Sequence, residues 1–326
     1  MSLVSRLIKA NPSIQVSDVL AGTFTLPSAK GAFYVDATRG LYAAGYDNNT
    51  IEYIEVATLG NTTDFGDRTV AVRATTGFAS ATRGLFAGGY RDSPAGPVNV
   101  IDFVTIATTG NATDFGDLTT NRYDIGACAG STRGLIMGGS SSTQIDYVTM
   151  ANAGNATSFG TLSANANSPS GGFASSTRGC LASIGASSSN VIEYVTIATT
   201  GNSTDFGDLT VGRDMGTSGS SATRGITAGG RTGASPYSNV IDYVTIATTG
   251  NSTDFGDLTS GRAFFGSAGS PTRLTFGGGG LDTSGNNSNI IDYVTIASTG
   301  NATDFGDLYL ARYYVTGCSN GHGGLQ

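Results

Sequence analysis

The sequence predicts an all-β protein in which one four-stranded unit is repeated along the chain, and three observations carry that prediction. The phrase IDYVTIATTGNSTDFGDL, beginning at Ile241, returns with small changes from Ile51, Ile101, Ile145, Ile192 and Ile291. Successive copies start 50, 44, 47, 49 and 50 residues apart, a period that suits four-stranded propeller blades rather than shorter helical or leucine-rich repeats. The composition agrees: 49 glycines, 39% hydrophobic and only 13% charged residues describe a turn-rich β protein with enough apolar material for a core. Nothing in the pattern has the 3.6-residue period of a helix.

Taken in order, residues 1–25 carry no repeat, although SIQVSDVLAGTFT from Ser13 alternates well enough to form one or two strands. Repeats then fill residues 26–68, 69–118, 119–162, 163–209, 210–258 and 259–308, followed by a partial copy at 309–326. In the third repeat, RYDIGACAG is a first strand and Ser131-Thr132-Arg133-Gly134 a tight turn. LIMGG is a second strand ending in glycines, QIDYVTM a third, and a Gly-Asn turn leads to a short fourth at SFGTL. Along IDYVTI, Ile241, Tyr243 and Thr245 face one way while Val244 and Ile246 face the other. Both faces are apolar, so each sheet must be covered on both sides. Sheets stacked radially in a ring meet that need and leave few open edges.

Beyond Leu308 the chain reads ARYYVTGCSNGHGG, with Arg312 placed as Arg262 is. This matches a first strand without its followers. Residues 1–25 are expected to complete that blade, which favours seven blades with a composite last one and removes an open edge; six blades is the alternative.

Several features together resemble a kelch repeat: an Arg shortly after the fourth strand, a second strand ending in Gly-Gly (Gly88-Gly89, Gly138-Gly139, Gly229-Gly230), and a third strand with an acidic-aromatic step. Kelch repeats carry a Trp on the fourth strand; this chain has none, and Phe65, Phe115, Phe159, Phe206, Phe255 and Phe305 stand there instead. The wording YVTIATTGNATDFGDLT also resembles repeat modules of structural and tail-fibre-like proteins of marine tailed bacteriophages. That resemblance implies a virion protein with a role in particle structure or host attachment, its partners being other virion proteins and a host-surface glycan or protein.

In a meander blade, the loops joining strands two to three share a face with the connections between blades, and the Thr-Arg-Gly and Thr-Gly-Asn turns share the opposite one. The two-to-three loops differ widely, so a binding face is expected there, with Asp47, Asn48, Arg91, Asp92, Ser140, Arg231, Tyr237, Asp282 and Asn286 as candidate contacts. The alternative is that these loops vary because nothing constrains them. On the other rim, the recurrent arginines, such as Arg133 and Arg224, are expected to pair with aspartates of the Asp-Phe-Gly-Asp segments, such as Asp117 and Asp257, and so to fix register.

No catalytic residue is assigned. Asp-Phe-Gly is spelled like a kinase metal-binding step, but it occurs five times and no catalytic or ATP loop accompanies it. Ser252-x-Asp254-x-Gly256 partly resembles the Asp-box of sialidase-type propellers but lacks its Trp. Copper and three-histidine zinc sites fail because His322 is the sole histidine. No metal or cofactor is expected, with calcium the one candidate because Asn251, Asp254 and Asp257 place oxygens in a short turn. Asn61, Asn111, Asn155, Asn202, Asn251 and Asn301 begin N-x-Thr sequons, better read as tight turns. Cys128, Cys180 and Cys318 form no close pair in sequence and are expected as buried free thiols.

The net charge of −7 and the presence of only two lysines, Lys9 and Lys30, disfavour a nucleic-acid partner. The chain has neither an apolar run long enough to span a bilayer nor a signal-peptide pattern, so no membrane insertion is expected and synthesis is placed in a host cytoplasm. No coiled-coil heptad enforces an oligomer, though assembly into one is allowed. The expected function is therefore a non-enzymatic virion binding protein; a glycan-processing enzyme on a propeller and a cytoplasmic kelch-type adaptor are the alternatives.

Overall fold

Radial stacking is what the two-faced strands require, and it is what the computed structural model, which describes residues 38–46, 48–233 and 237–325, displays. The described residues form six four-stranded antiparallel sheets arranged as the blades of a β-propeller. In the third blade the strands are Gly126–Ala129, Arg133–Met137, Ser142–Thr149 and Thr157–Ala166, ordered from the channel outward. The expectation of seven blades is corrected to six. Thr316–Ser319 pairs with Arg39–Ala43, Gly40 opposite Ser319 and Ala43 opposite Thr316, so it is the innermost strand of the first blade rather than the start of a seventh. Thr50–Glu55 and Thr63–Asp67 complete that blade. One hydrogen-bonded sheet thus joins the two ends of the ring, and no open edge remains there. The proposed contribution of residues 1–25 to closure lies outside the described residues.

Each third strand serves two neighbours. Ile241 packs with Phe255, Leu274 and Val294 on the side of the sixth blade, while Val244 and Ile246 pack with Phe173, Ile192 and Phe206 on the side of the fourth. Such apolar clusters fill all six gaps between blades. The Phe of each fourth strand meets the aromatic ring of its own third strand edge-on, as Phe255 does Tyr243 at 5.9 Å.

The repeated Thr-Gly-Asn words are hooks between blades. Gly110 N–H of the second blade donates to Phe65 O of the first (2.7 Å), and the Asn111 side-chain oxygen accepts Asp67 N–H (3.0 Å). The same two bonds recur from Gly250 and Asn251 to Phe206 and Asp208, and across the closing gap from Gly60 and Asn61 to Phe305 and Asp307. The approach is tight enough to demand glycine on the receiving strand. Gly116 adopts φ 144°, and a Cβ there would lie 2.6 Å from the Gly154 carbonyl.

The arginines of the Thr-Arg-Gly turns stitch the same gaps, but not to the expected partners. Arg133 donates to the carbonyls of Ile197 and Ala198 in the next blade and lies over its own Tyr147 at 4.7 Å. Arg224 likewise donates to Ile296 O and lies over Tyr243. Asp117 and Asp257 use their backbone N–H groups on Asn155 and Asn301, and among the described residues neither is ion-paired with Arg133 or Arg224. A carbonyl two strands away in the next blade is reached by a straight guanidinium over a flat ring; the aspartates sit in the hook instead.

The arginines that do form buried ion pairs lie on the connectors between blades, each paired with the third strand of the blade that the connector enters. Arg122 pairs with Asp146 (2.6 Å), Arg213 with Asp242 (2.8 Å), Arg262 with Asp292 (2.5 Å) and Arg312 with Glu52 (2.8 Å). A threonine usually adds its hydroxyl, as Thr210 does to Asp242. In the second blade Val72 replaces the arginine and Arg68 reaches Asp102 from the other side at 2.7 Å. In the fourth, where Ala166 stands at that place, Glu193 accepts bonds from the hydroxyls of Ser163 and Ser203. Burial lowers the pKa of Arg122, Arg213, Arg262 and Arg312, and the facing carboxylate opposes that shift.

Two outcomes follow for stability. Asn251→Ala should lower the unfolding free energy by about 1 kcal/mol in denaturant titration, since it removes one inter-blade bond. Arg213→Met should cost about 3–5 kcal/mol by stranding buried Asp242, and adding Asp242→Leu should recover most of the loss; a double variant as unstable as the single one would contradict the charge argument.

Candidate binding site at the channel mouth

The six innermost strands enclose a channel of about 150 Å³ walled largely by Gly, Ala, Ser and Thr, with Phe and Cys between them. Each first strand is entered through a residue in the left-handed region: Ala74 (φ 56°), Asp124 (52°), Ser168 (63°), Met215 (55°), Phe264 (61°) and Tyr314 (58°). Backbone bonds run from one of these to the next, Asp124 N–H to Ala74 O (2.8 Å), Met215 N–H to Ser168 O (3.0 Å) and Phe264 N–H to Met215 O (2.8 Å). The strained conformation thereby turns six unlike side chains toward one opening, at about 1–3 kcal/mol each.

Around that opening lies a collar of rings and charges. Phe264 meets Tyr314 at 4.5 Å and Tyr237 at 6.3 Å; Tyr313 stacks on Tyr46 at 5.9 Å with the planes 11° apart. Tyr90 meets Tyr123 edge-on at 5.4 Å. The Arg73 guanidinium lies over Tyr90, Tyr46 and Tyr314 at 4.8, 5.2 and 5.6 Å, and Arg231 over Phe264 at 5.4 Å. Both guanidiniums are matched by carboxylates: Arg73 donates to Asp92 (3.1 Å), and Arg231 donates to both oxygens of Asp214 (2.9 and 3.1 Å).

Asp124 has no such arginine of its own. One of its oxygens accepts the Ser168 hydroxyl at 3.0 Å. Burial raises its carboxyl pKa, against the pull of Ser168, Arg73 and Arg231. Burial, and then the charge of Asp124, push the Tyr314 phenol up to about 12, so it stays a neutral donor.

The other end of the channel is crossed by residues 320–325. Gly323 and Gly324 press so closely on the first strands that added Cβ atoms would fall 2.0 Å from Ser221 O and 1.8 Å from Ala129 O. Between them and the ring sits His322, whose Nε2 is 2.7 Å from Ala79 O and whose Nδ1 accepts Gly324 N–H at 3.2 Å. A carbonyl can only accept, so the proton is on Nε2 and the ring is neutral.

Of the residues expected on the varied loops, Asp92, Arg231 and Tyr237 belong to the collar, and Ser140 supports it by accepting Tyr123 N–H at 3.0 Å. Arg91, Asp282, Asn286 and Asn48 are engaged locally, in bonds to Pro94 O, between Asp282 and Asn286, and from Thr50 N–H to Asn48. Asp47 lies outside the described residues. The sequence reading passed over Tyr46, Arg73, Asp124, Asp214, Phe264, Tyr313 and Tyr314. Their signal was present: just before each first strand the repeats read RA, YD, NS, DM, AF and YY, as varied as the loops.

Among the described residues no three His, Cys, Asp or Glu side chains converge as metal ligands. At the turn weighed for calcium, Asn251 spends its side-chain oxygen on the hook to Asp208. Cys128, Cys180 and Cys318 are free and buried. No helix of the described residues is long and apolar enough to cross a membrane.

Burial lowers the His322 pKa below its usual 6.5, opposed by the bond to Ala79 O. The folded state then binds fewer protons than the unfolded one just below pH 6.5, so this group's contribution to stability is complete above that value and declines as the pH falls toward the folded pKa. Because the chain has one histidine, NMR titration of its ring protons reads this directly; the midpoint should lie below 6.5, and a midpoint above it would contradict the neutral plug. The function must be argued from the mouth itself, since no protein-family model matches the chain and no curated protein matches its sequence.

Proposed function

We propose that this protein is a non-enzymatic recognition scaffold of a phage particle, a propeller of the tail-fibre or appendage type that offers the channel mouth to a host surface or to another virion protein. The observation that carries this reading is the collar. Seven aromatic rings and two ion-paired arginines meet at one opening of a stiffly stitched ring, and aromatic and arginine side chains are those that anchor binding surfaces. The kelch-like and phage-like wording of the repeats supports the setting, and the absence of a lysine-rich surface argues against nucleic acid as the partner.

One feature favours a second reading, a glycan-processing enzyme: Asp124 is a carboxyl held toward its protonated form beside Tyr314, as a general acid would be. Among the described residues it has no free second carboxylate beside it, because Asp92 and Asp214 are both bound to arginines. Mass spectrometry of purified particles should find the protein in virions. Adsorption to host cells should fall at least tenfold in Arg73→Ala with Tyr314→Ala and remain unchanged in Thr109→Ala on the opposite rim. Absence from virions would end the virion reading, and sugar release that Asp124→Asn abolishes would replace it with the enzyme.

A further inference from the structure

Resting on the reading of the mouth as a binding face, we infer that its ligand is a neutral sugar, one ring of which enters the collar end-on with a C–H face against tyrosine and its hydroxyls toward Asp124 and Ser168.

Size comes first. A space of about 150 Å³ is of the order that admits a single six-membered ring, and the C-terminal segment closes the far end, so a ligand enters only from the mouth and only by its tip. An extended peptide or a threaded polymer does not suit a blind opening of that size.

Charge then decides among small ligands. The collar holds two arginines, Arg73 and Arg231, and three aspartates, Asp92, Asp124 and Asp214. An anionic sugar or a phosphate would need a free guanidinium, yet both are already taken by carboxylates. A cationic head group would be repelled by the guanidinium of Arg73, which lies among Tyr46, Tyr90 and Tyr314 as a resident cation.

What remains unspent matches a polyol. Asp124 accepts one bond from Ser168 and has a second oxygen with no donor among the described residues. The phenols of Tyr46, Tyr313 and Tyr314 have rings packed into the collar while their hydroxyls bond to no described residue. These supply acceptors and amphoteric donors at the edge of flat apolar faces, with Met215 and Phe264 completing an apolar wall. A pyranose has the complementary build: hydroxyls that donate and accept around its rim, and axial C–H groups on a face. The fixed carboxylate would accept from a sugar hydroxyl, which a lipid or a hydrocarbon cannot offer.

The test uses the full chain and ligand-observed saturation-transfer NMR against methyl glycosides of neutral hexoses and N-acetylhexosamines, with sialyllactose, a glucuronide and choline as charged probes. The expected result is transfer to at least one neutral glycoside, stronger than to any charged probe, and weakened at least tenfold in Tyr46→Ala and in Tyr314→Ala. Tyr46 is 52% exposed, so its replacement leaves the fold intact even where the Tyr314 variant does not. Tighter binding of a charged probe, or neutral binding indifferent to Tyr46→Ala, overturns the inference. If no glycoside binds while host adsorption still depends on the collar, the sugar is wrong and the binding face stands; if adsorption is also indifferent, both fall.

Discussion

The constraint on which the molecule depends is the hook between neighbouring blades, a Gly-Asn turn seated in the Phe-Gly-Asp strand of the blade before it. Each hook makes a backbone bond from glycine N–H to the phenylalanine carbonyl, and its asparagine side-chain oxygen accepts the N–H of an aspartate or, in the third blade, of Thr161. The receiving glycine cannot be larger, because the partner carbonyl occupies the space of its Cβ. Neighbours are therefore held at one distance and one tilt. Six equal steps close on themselves when Asn61 meets Asp307, and the Thr316–Ser319 strand completes the first blade.

The buried arginine–carboxylate pairs do a different task. They tie the connector that leaves the fourth strand of one blade to the middle of the third strand of the next. Exchange of buried pairs for apolar residues is often tolerated elsewhere, and the fourth blade keeps its shape with Glu193 held by the hydroxyls of Ser163 and Ser203 and the Ser163 N–H. The pairs therefore fasten each connector to the blade it enters, while the hooks and the apolar gaps hold neighbouring blades against each other. The second blade makes the same point: Arg68 substitutes for a missing arginine from a different sequence position because the buried Asp102 must be met from somewhere.

With the ring so determined, variety is confined to one rim. The left-handed residues at the head of each first strand point six different side chains at a common opening, and the chain places its rings and its unmatched aspartate there. The proposed sugar site uses only this varied part. The opposite rim has nearly invariant turns, whose arginine and asparagine side chains bond to neighbouring blades.

The sequence by itself determined the period, the four strands of each unit and their two apolar faces, because these are local patterns of alternation, glycine and turn residues that six copies spell out. It also marked the paired residues without joining them: Arg122 and Asp146 lie 24 positions apart, and nothing in the order of letters says which arginine a carboxylate will meet. The number of blades was misread for a similar reason, since Thr316–Ser319 looks like the beginning of a further unit and becomes the innermost strand of the first blade only when Asn320 meets Arg39, 281 positions away. Tertiary structure alone decided the partners of Arg133 and Arg224, the closing of the channel by His322, and the meeting of Arg73, Asp124, Phe264 and Tyr314 around a single axis. Convergence of residues from separate blades is a property of the closed ring, and it exists only once the last blade has joined the first.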